Sequence, residues 1–144
     1  MKIPSLDHSH LKLSSPVVID EAVLTYIESD RHIFFPIKRV YTITSVDFHA
    51  VRGHHAHHKT QQALFCIQGS VTINFDNGFE KTQIFLNRPE DGVRIDPMVW
   101  HEMTGFSRDA ALMVLADDFY NEADYIRSYD SFTQLVKEIY DPHE

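Results

Sequence analysis

The composition of the chain is that of a folded globular protein without an excess of positive charge. Its 144 residues are 43% hydrophobic and 24% charged, with a formal net charge of -8. A chain of this kind can bury a core, so a single domain over residues 1–144 is expected. The negative charge argues against nucleic acid or anionic membranes as partners. One cysteine, no signal-like start and no apolar run long enough to cross a membrane predict a cytoplasmic protein.

Short apolar segments separated by turn residues predict a fold made of β-strands. In residues 71–75, Val71, Ile73 and Phe75 alternate with polar residues, which is the period of a strand with one buried face. Asp76-Asn77-Gly78 follows, and Asn-Gly between such segments is a strong hairpin signal. The strands predicted in chain order are 17–19, 23–27, 37–45, 62–68, 71–75, 79–86, 93–95, 99–106 and 110–116. This number of short strands indicates an antiparallel barrel or sandwich.

Only the end of the chain has helical periodicity. Phe132, Leu135, Val136 and Ile139 would lie on one face of a helix. Ser131 and Gln134 have the spacing of a capping box, and Asp141-Pro142 would close the segment. We expect this helix to pack across the strands.

The stretch RGHHAHHKTQQ, residues 52–62, concentrates histidine and positive charge. On a strand, His55, His57 and Lys59 would point one way, whereas His54 and His58 would point the other. Two imidazoles on one surface suit either a metal site or a metal-free site that moves protons, because the ordinary pKa of histidine lies near neutral pH.

The spacing around these histidines resembles the first motif of the cupins. His55-Ala56-His57 is followed by Gln62 and Gly69, and a second cupin-like segment, GVRIDPMVWH, ends at His101. Metal-binding cupins present a glutamate where this chain has Gln62, a neutral amide that is a poor ligand for hard divalent ions. Three histidines still suffice for Zn²⁺ with an open position, so a metal site stays open as an alternative.

Longer motifs resemble a particular family of small cupins, the sugar-nucleotide 3,4-ketoisomerases (FdtA/QdtA-type, WxcM-like). The resemblance runs from about Ile33 to Phe132 and lies in residues 37–41 (IKRVY), Arg52-Gly53 before the histidines, Gly69-Ser70, Trp100-His101 and residues 124–127 (DYIR). It implies an all-β cupin double-stranded β-helix, an antiparallel jelly-roll barrel with a short C-terminal helix. It also implies a homodimer with exchanged strands.

The resemblance further implies a reaction and its partners. Members convert a dTDP-4-keto-6-deoxyhexose into its 3-keto isomer through an enediol, without metal, nicotinamide or flavin. The product feeds aminotransferases that make 3-amino sugars for surface glycans. A metal-dependent cupin enzyme and a sugar-nucleotide-binding module without catalysis are the alternative functions.

Residue roles follow from the same motifs. His55 would take the C3 proton, Tyr41 would move protons between the O3 and O4 oxygens, and His57 would support the pocket. The diphosphate needs cations, preferably the forked guanidinium of arginine. Arg52 is the first choice for this role. The other candidate substrate-binding residues are Arg39, Lys59, Arg94, Trp100 and His101.

One segment departs from the resemblance. Residues 20–23 read Asp-Glu-Ala-Val, where family members usually carry basic and aromatic residues beside the sugar. This departure would bear on which sugar is accepted and on the configuration at C4 of the product.

Overall fold

The computed structural model describes residues 2–7 and 9–140 and consists mainly of β-strands. The strands predicted from the sequence are confirmed, with bounds that shift by up to a few residues. The strands are β1 (His10–Lys12), β2 (Val17–Ile19), β3 (Ala22–Leu24), β4 (Arg39–Thr44), β5 (Arg52–His57), β6 (Gln62–Gln68), β7 (Val71–Asp76), β8 (Lys81–Leu86), β9 (Asp91–Ile95), β10 (Trp100–Thr104), β11 (Ala111–Ala116) and β12 (Tyr125–Ile126). A 3-10 turn spans Glu122–Asp124, and one helix, α1, spans Tyr129–Ile139.

Two five-stranded antiparallel sheets form the body of the fold. One has the strand order β1-β9-β6-β11-β4 and the other β12-β5-β10-β7-β8. The core lies where their apolar faces meet, and Leu64, Ile73, Phe75, Val93 and Leu112 are almost fully buried there. In the described part of the chain the sheets stay separate hydrogen-bonded units, so they form a jelly-roll sandwich and not a closed barrel.

The outer face of each sheet is also covered. On the second sheet, Phe132 and Val136 of α1 pack with Ala56, Trp100 and Ile126. On the first sheet, side chains from residues 13–35 pack on β6 and β11. Because β6 is covered on both faces, its residues 62–66 are all buried, which explains its uninterrupted apolar sequence.

The helix begins earlier than the sequence predicts. Ser128 is the N-cap, and its side chain accepts a hydrogen bond from the N–H of Ser131, so the predicted capping box at Ser131 and Gln134 is wrong. The predicted apolar face is confirmed, with Phe132 and Val136 buried. The predicted stop at residues 141–142 lies outside the described residues. No helix in the ranges 2–7 and 9–140 combines the length and apolar character of a membrane span.

The predicted hairpin joins β7 and β8 through a longer loop than expected. Asp76 pairs with Lys81, and the Asn77 side chain accepts hydrogen bonds from the N–H groups of Phe79 and Glu80. These bonds hold Phe79 and Glu80 in the loop, so the return strand starts two residues later than predicted, at Lys81.

Strands β2 and β3 form a separate hairpin, which we call the arm (residues 17–24). Ile19 pairs with Ala22, and both residues of the connecting turn, Asp20 and Glu21, have positive φ. All six strand residues of the arm are exposed, including Val18 (74%) and Val23 (68%). The described fold therefore leaves this apolar surface open to water.

Candidate active site

A β-bulge in β5 sets the direction of the histidine side chains. His101 of β10 pairs with His55 and Glu102 pairs with Gly53, which leaves His54 as the extra residue. Gly53 and His54 both have positive φ, at 88° and 56°. As a result, the exposed His54 ring lies with its Nδ1 2.8 Å from Glu102 Oε1, while the His55 ring joins those of His57 and His101.

Three imidazoles meet on the inner face of the second sheet. His55, His57 and His101 each offer a ring nitrogen within 4.8 Å of the others. The His55 ring packs edge-on against both partners, with centroid distances of 5.0 Å to His57 and 4.5 Å to His101. The sequence prediction that His55 and His57 share a face is confirmed, and pairing of β5 with β10 adds His101 to them.

The hydrogen bonds of the three rings fix their protonation. The Nδ1 atoms of His55 and His101 donate to the carbonyl oxygens of Gly53 (2.9 Å) and Val99 (3.3 Å), which cannot donate in return. Burial lowers the pKa of all three rings, to about 4 for His57, so all three are neutral at pH 7. The protons therefore reside on Nδ1. Nε2 of His55 and Nε2 of His57 are buried and have no partner among the described residues.

Asp124 fixes the orientation of His57 in the histidine cluster. Its carboxylate accepts hydrogen bonds from His57 Nδ1 (3.2 Å), from the backbone N–H groups of Lys59 and Thr60, and from the Thr60 hydroxyl. Burial alone would raise the pKa of Asp124, but the bonds from Thr60 and Lys59 outweigh it and hold the pKa below its ordinary value. An ionised carboxylate thus orients His57, which lies behind His55.

Tyr41 lies across the cavity from the histidines, on β4 of the first sheet. Its oxygen accepts a hydrogen bond of 2.8 Å from Nε2 of Gln62. Burial raises the pKa of Tyr41 to about 12, so the phenol is protonated near neutral pH. The Arg39 guanidinium lies 5.2 Å from the centre of the Tyr41 ring and 5.9 Å from that of Tyr120.

The cavity that joins these groups has a volume of about 630 Å³, large enough for a drug-sized or nucleotide-sized ligand. Two of the predicted arginines line it, Arg39 and the exposed Arg52. Arg127 also lines it, over the ring of Tyr125 and paired with Glu122 at 2.6 Å. An anionic group at this rim would meet guanidinium donors from three different strands or loops.

Three predicted residues lie away from the cavity lining. The expectation that Lys59 shares a face with His55 is wrong, because β5 ends at His57 and Lys59 is exposed in the following turn. Arg94 points away from the core residues Val93 and Ile95, and its Nε lies 3.0 Å from Asp96. Trp100 lies on the outer face of β10, against Tyr129 and Phe132 of the helix. Of the predicted set, the structure brings together His55, His57, His101, Tyr41, Arg39 and Arg52.

Sequence reasoning did not assign four residues of this site. Asp124, Tyr125 and Arg127 belong to the motif DYIR, which was used only as a mark of resemblance, and Tyr120 lies four residues before it. The feature of the sequence that could have pointed to these residues is the concentration of polar and aromatic side chains around the apolar Ile126, which is buried in the structure. Pairing of Tyr125 with His57 carries this segment to the site.

The three histidines could hold a metal ion by geometry alone, since their nitrogens are close and their Nδ1 atoms are already bound to acceptors. The position at which metal-binding cupins add a carboxylate is Gln62, whose amide instead donates to Tyr41. The protein would therefore supply a metal with neutral nitrogen ligands only, a set suited to Zn²⁺.

The two-sheet fold that encloses a cluster of three histidines is that of a cupin. The family described as FdtA, WxcM-like, C-terminal matches residues 9–137. The chain belongs to this family, which confirms the resemblance seen in the sequence.

Three relatives give the comparison in detail. A TDP-4-oxo-6-deoxy-alpha-D-glucose-3,4-oxoisomerase from Aneurinibacillus thermoaerophilus is 42% identical over 123 residues, 85% of this chain and 88% of the relative. The structure of QdtA, a sugar 3,4-ketoisomerase from Thermoanaerobacterium thermosaccharolyticum in complex with TDP, is 40% identical with a TM-score of 0.88, covering 94% and 99% of the two chains. The TDP-quinovose 3,4-ketoisomerase WlaRB from Campylobacter jejuni is 38% identical with a TM-score of 0.83, covering 90% and 99%. The predicted fold class, a cupin with one C-terminal helix, is confirmed by these likenesses.

Proposed function

We propose that this protein is a TDP-sugar 3,4-ketoisomerase that converts a TDP-4-keto-6-deoxyhexose into the 3-keto isomer. The relatives with this activity are similar over almost the whole chain. The observation that carries the proposal is a neutral imidazole, His55, with a free Nε2 lone pair in the same cavity as the Tyr41 hydroxyl. A base and a proton-relaying hydroxyl are the two groups that this reaction needs.

The reaction divides between these two residues. The C4 ketone acidifies the C3 hydrogen, and His55 Nε2 removes it as a proton while the C3–H electron pair moves into the new C3–C4 double bond. Tyr41 donates a proton to O4 and receives the proton of O3, because a phenol donates and accepts through one oxygen. The His55 imidazolium then returns a proton to C4, directly or through a solvent water, which regenerates the neutral imidazole and leaves the ketone at C3. C3 is oxidised from an alcohol to a ketone while C4 is reduced from a ketone to an alcohol, so the reaction needs no external oxidant or reductant.

The neighbours of His55 support its role as a base. Its Nδ1 is held by the Gly53 carbonyl, which fixes the tautomer that leaves Nε2 free. When Nε2 takes the proton, the resulting imidazolium lies against His57, whose ring is tied to the Asp124 carboxylate. Because His57 is neutral, it does not repel the positive charge on His55 as a protonated ring would. The Asp124 carboxylate behind His57 attracts that charge.

Turnover of TDP-4-keto-6-deoxyglucose, followed by NMR or coupled to a 3-aminotransferase, tests the proposal. Conversion in deuterated water should place deuterium at C4 of the product. Retained TDP binding without conversion would favour a binding module. Conversion that chelators abolish and Zn²⁺ restores, in protein that elemental analysis shows to contain metal, would favour the metal-dependent alternative.

Arg52→Ala is expected to weaken TDP binding about 10-fold and to reduce its salt dependence. Arg52 is exposed on the cavity rim, where a diphosphate would accept charge-assisted hydrogen bonds from the guanidinium. Isothermal titration with TDP at two ionic strengths measures both effects, since salt screens exposed charges. The matched control is Lys59→Ala, which removes one positive charge outside the cavity lining. Equal affinities of wild type and Arg52→Ala would remove Arg52 from the site.

The same proposal includes a homodimer that exchanges the arm, residues 17–24. The arm presents five large exposed apolar side chains, and β4 is an edge strand of its sheet with Val40 exposed. An arm from a second copy could pair with this edge and cover both apolar surfaces, which free sheet edges favour.

The dimer is tested by replacing Val18 and Val23, which pair with each other across the arm, by aspartate. Wild type should sediment as a dimer at micromolar concentration and the double variant as a monomer. The control is Lys12→Asp, which places a negative charge at an exposed residue of another strand and should stay dimeric. A monomeric wild type would contradict the exchange.

We also propose a cytoplasmic location. A 3-keto product is the substrate class that aminotransferases require, so we place the enzyme in the supply of 3-amino sugars for lipopolysaccharide O-antigen or similar surface glycans.

A further inference from the structure

One contact in the cavity has a direction that matters for proton transfer. Gln62, the first residue of β6, is 1% exposed, and its Nε2 donates to the Tyr41 oxygen at 2.8 Å. The donated hydrogen occupies one lone pair of that oxygen. The phenolic hydrogen of Tyr41 therefore cannot point at the Gln62 nitrogen and has to point elsewhere.

We propose that Gln62 is a positioning residue that directs the phenolic proton of Tyr41 into the cavity and stabilises the phenolate oxygen when that proton leaves. The inference rests on the proposed function, since it assigns a role within the 3,4-ketoisomerisation. Gln62 itself acts through Tyr41 and transfers no proton.

The electrostatics of Tyr41 agree with this role. Burial raises the pKa of Tyr41, which makes the buried phenol a poor acid, and the hydrogen bond from Gln62 and the charge of Arg39 act in the opposite direction. A hydrogen bond to an ionised oxygen is stronger than one to a neutral oxygen. The amide thus helps most at the moment when Tyr41 has given its proton to O4 and has not yet received the proton of O3.

The chemistry of the side chain explains why an amide suits this position better than the carboxylate of metal-binding cupins. An ionised glutamate at residue 62 could only accept a hydrogen bond. It would draw the phenolic hydrogen of Tyr41 toward itself and away from the sugar. It would also add a negative charge beside Tyr41, which opposes formation of the phenolate.

Two variants test the inference. Gln62→Met keeps the approximate volume but removes the donor, and kcat is expected to fall about 10- to 100-fold with KM and TDP affinity unchanged. Gln62→Glu reverses the direction of the hydrogen bond and should lower kcat further. The control is Gln61→Met, whose amide binds Asp117 outside the cavity lining.

The decisive measurement is the double-variant cycle with Tyr41→Phe. If Gln62 acts through the phenolic oxygen, Gln62→Met should add little to the slow rate of Tyr41→Phe, because the two residues then act as a unit. A similar fold-loss in the presence and absence of the hydroxyl would overturn the inference in favour of a packing role. Wild-type rates in Gln62→Met would also overturn it. Failure of wild type to convert the sugar would instead reject the proposed function, so the two failures are distinguishable.

Discussion

His55→Asn is expected to lower the rate of isomerisation by about 10⁴-fold or more while leaving TDP affinity close to wild type. Asparagine is polar and somewhat smaller, but it has no nitrogen that titrates near neutral pH, so nothing at this position can take the C3 proton. Loss of a general base costs roughly 10²- to 10⁴-fold, and the upper end applies when one base acts on carbon. NMR of the keto-sugar at high enzyme concentration measures the residual rate.

His54→Asn is the matched control for this experiment. His54 is the adjacent residue and borders the same cavity, but its exposed ring lies against Glu102 and is not part of the cluster of His55, His57 and His101. Asparagine also tolerates the positive φ of this position better than most residues. The control should keep most of the wild-type rate. If His55→Asn turned over at a near wild-type rate while chelators abolished activity, the metal-free mechanism would be wrong.

Gly53→Ala is expected to reduce both stability and activity, because the bulge has no room for a side chain. Gly53 has φ +88°, and a Cβ there would lie 2.8 Å from the carbonyl oxygen of His101. Strain of this kind and the backbone clash together cost about 3 kcal/mol. Relief requires β5 and β10 to move apart, which displaces His55 from His101. A shift of this size is expected to lower kcat about 10²-fold.

Gly105→Ala separates the clash from the strain. Gly105 also has positive φ, +62°, but nothing lies within 4 Å of the position that its Cβ would take. Thermal unfolding should show a small loss for Gly105→Ala and a larger one for Gly53→Ala, and only Gly53→Ala should affect kcat. Equal losses of stability in the two variants would show that backbone strain alone accounts for the effect and that the close approach to His101 is unimportant.

Periodicity and turn residues were sufficient to predict most strands of the fold. The alternation of Val71, Ile73 and Phe75 identified β7 because a half-buried strand imposes that period. The same rule placed His55 and His57 on one face. It failed at Lys59 because alternation holds only while the strand continues, and the sequence contains no marker that β5 ends at His57.

The rest of the site depends on pairing between distant segments. Asp124 contacts His57 across 67 positions of the chain, and the Gln62 amide reaches Tyr41 across 21. Such contacts depend on strand order and register, which local patterns do not encode. The bulge at Gly53 and His54 could not be predicted from the sequence either. An extra residue in one strand is recognised only when its partner strand and their register are known.

The carboxylate of Asp124 gives the C-terminal segment a thermodynamic link to the active site. It binds the ring of His57 and the backbone of Lys59 and Thr60, and it lies directly before β12 and close to helix α1. When this segment detaches in a local opening, His57 loses its proton acceptor, and Lys59 and Thr60 in the turn after β5 lose three hydrogen bonds to the carboxylate at once. Readiness for catalysis is therefore coupled to a subglobal folding equilibrium of the segment that begins at Asp124. Any ligand that binds the ordered cluster more tightly will by mass action also disfavour the local opening of β12 and helix α1.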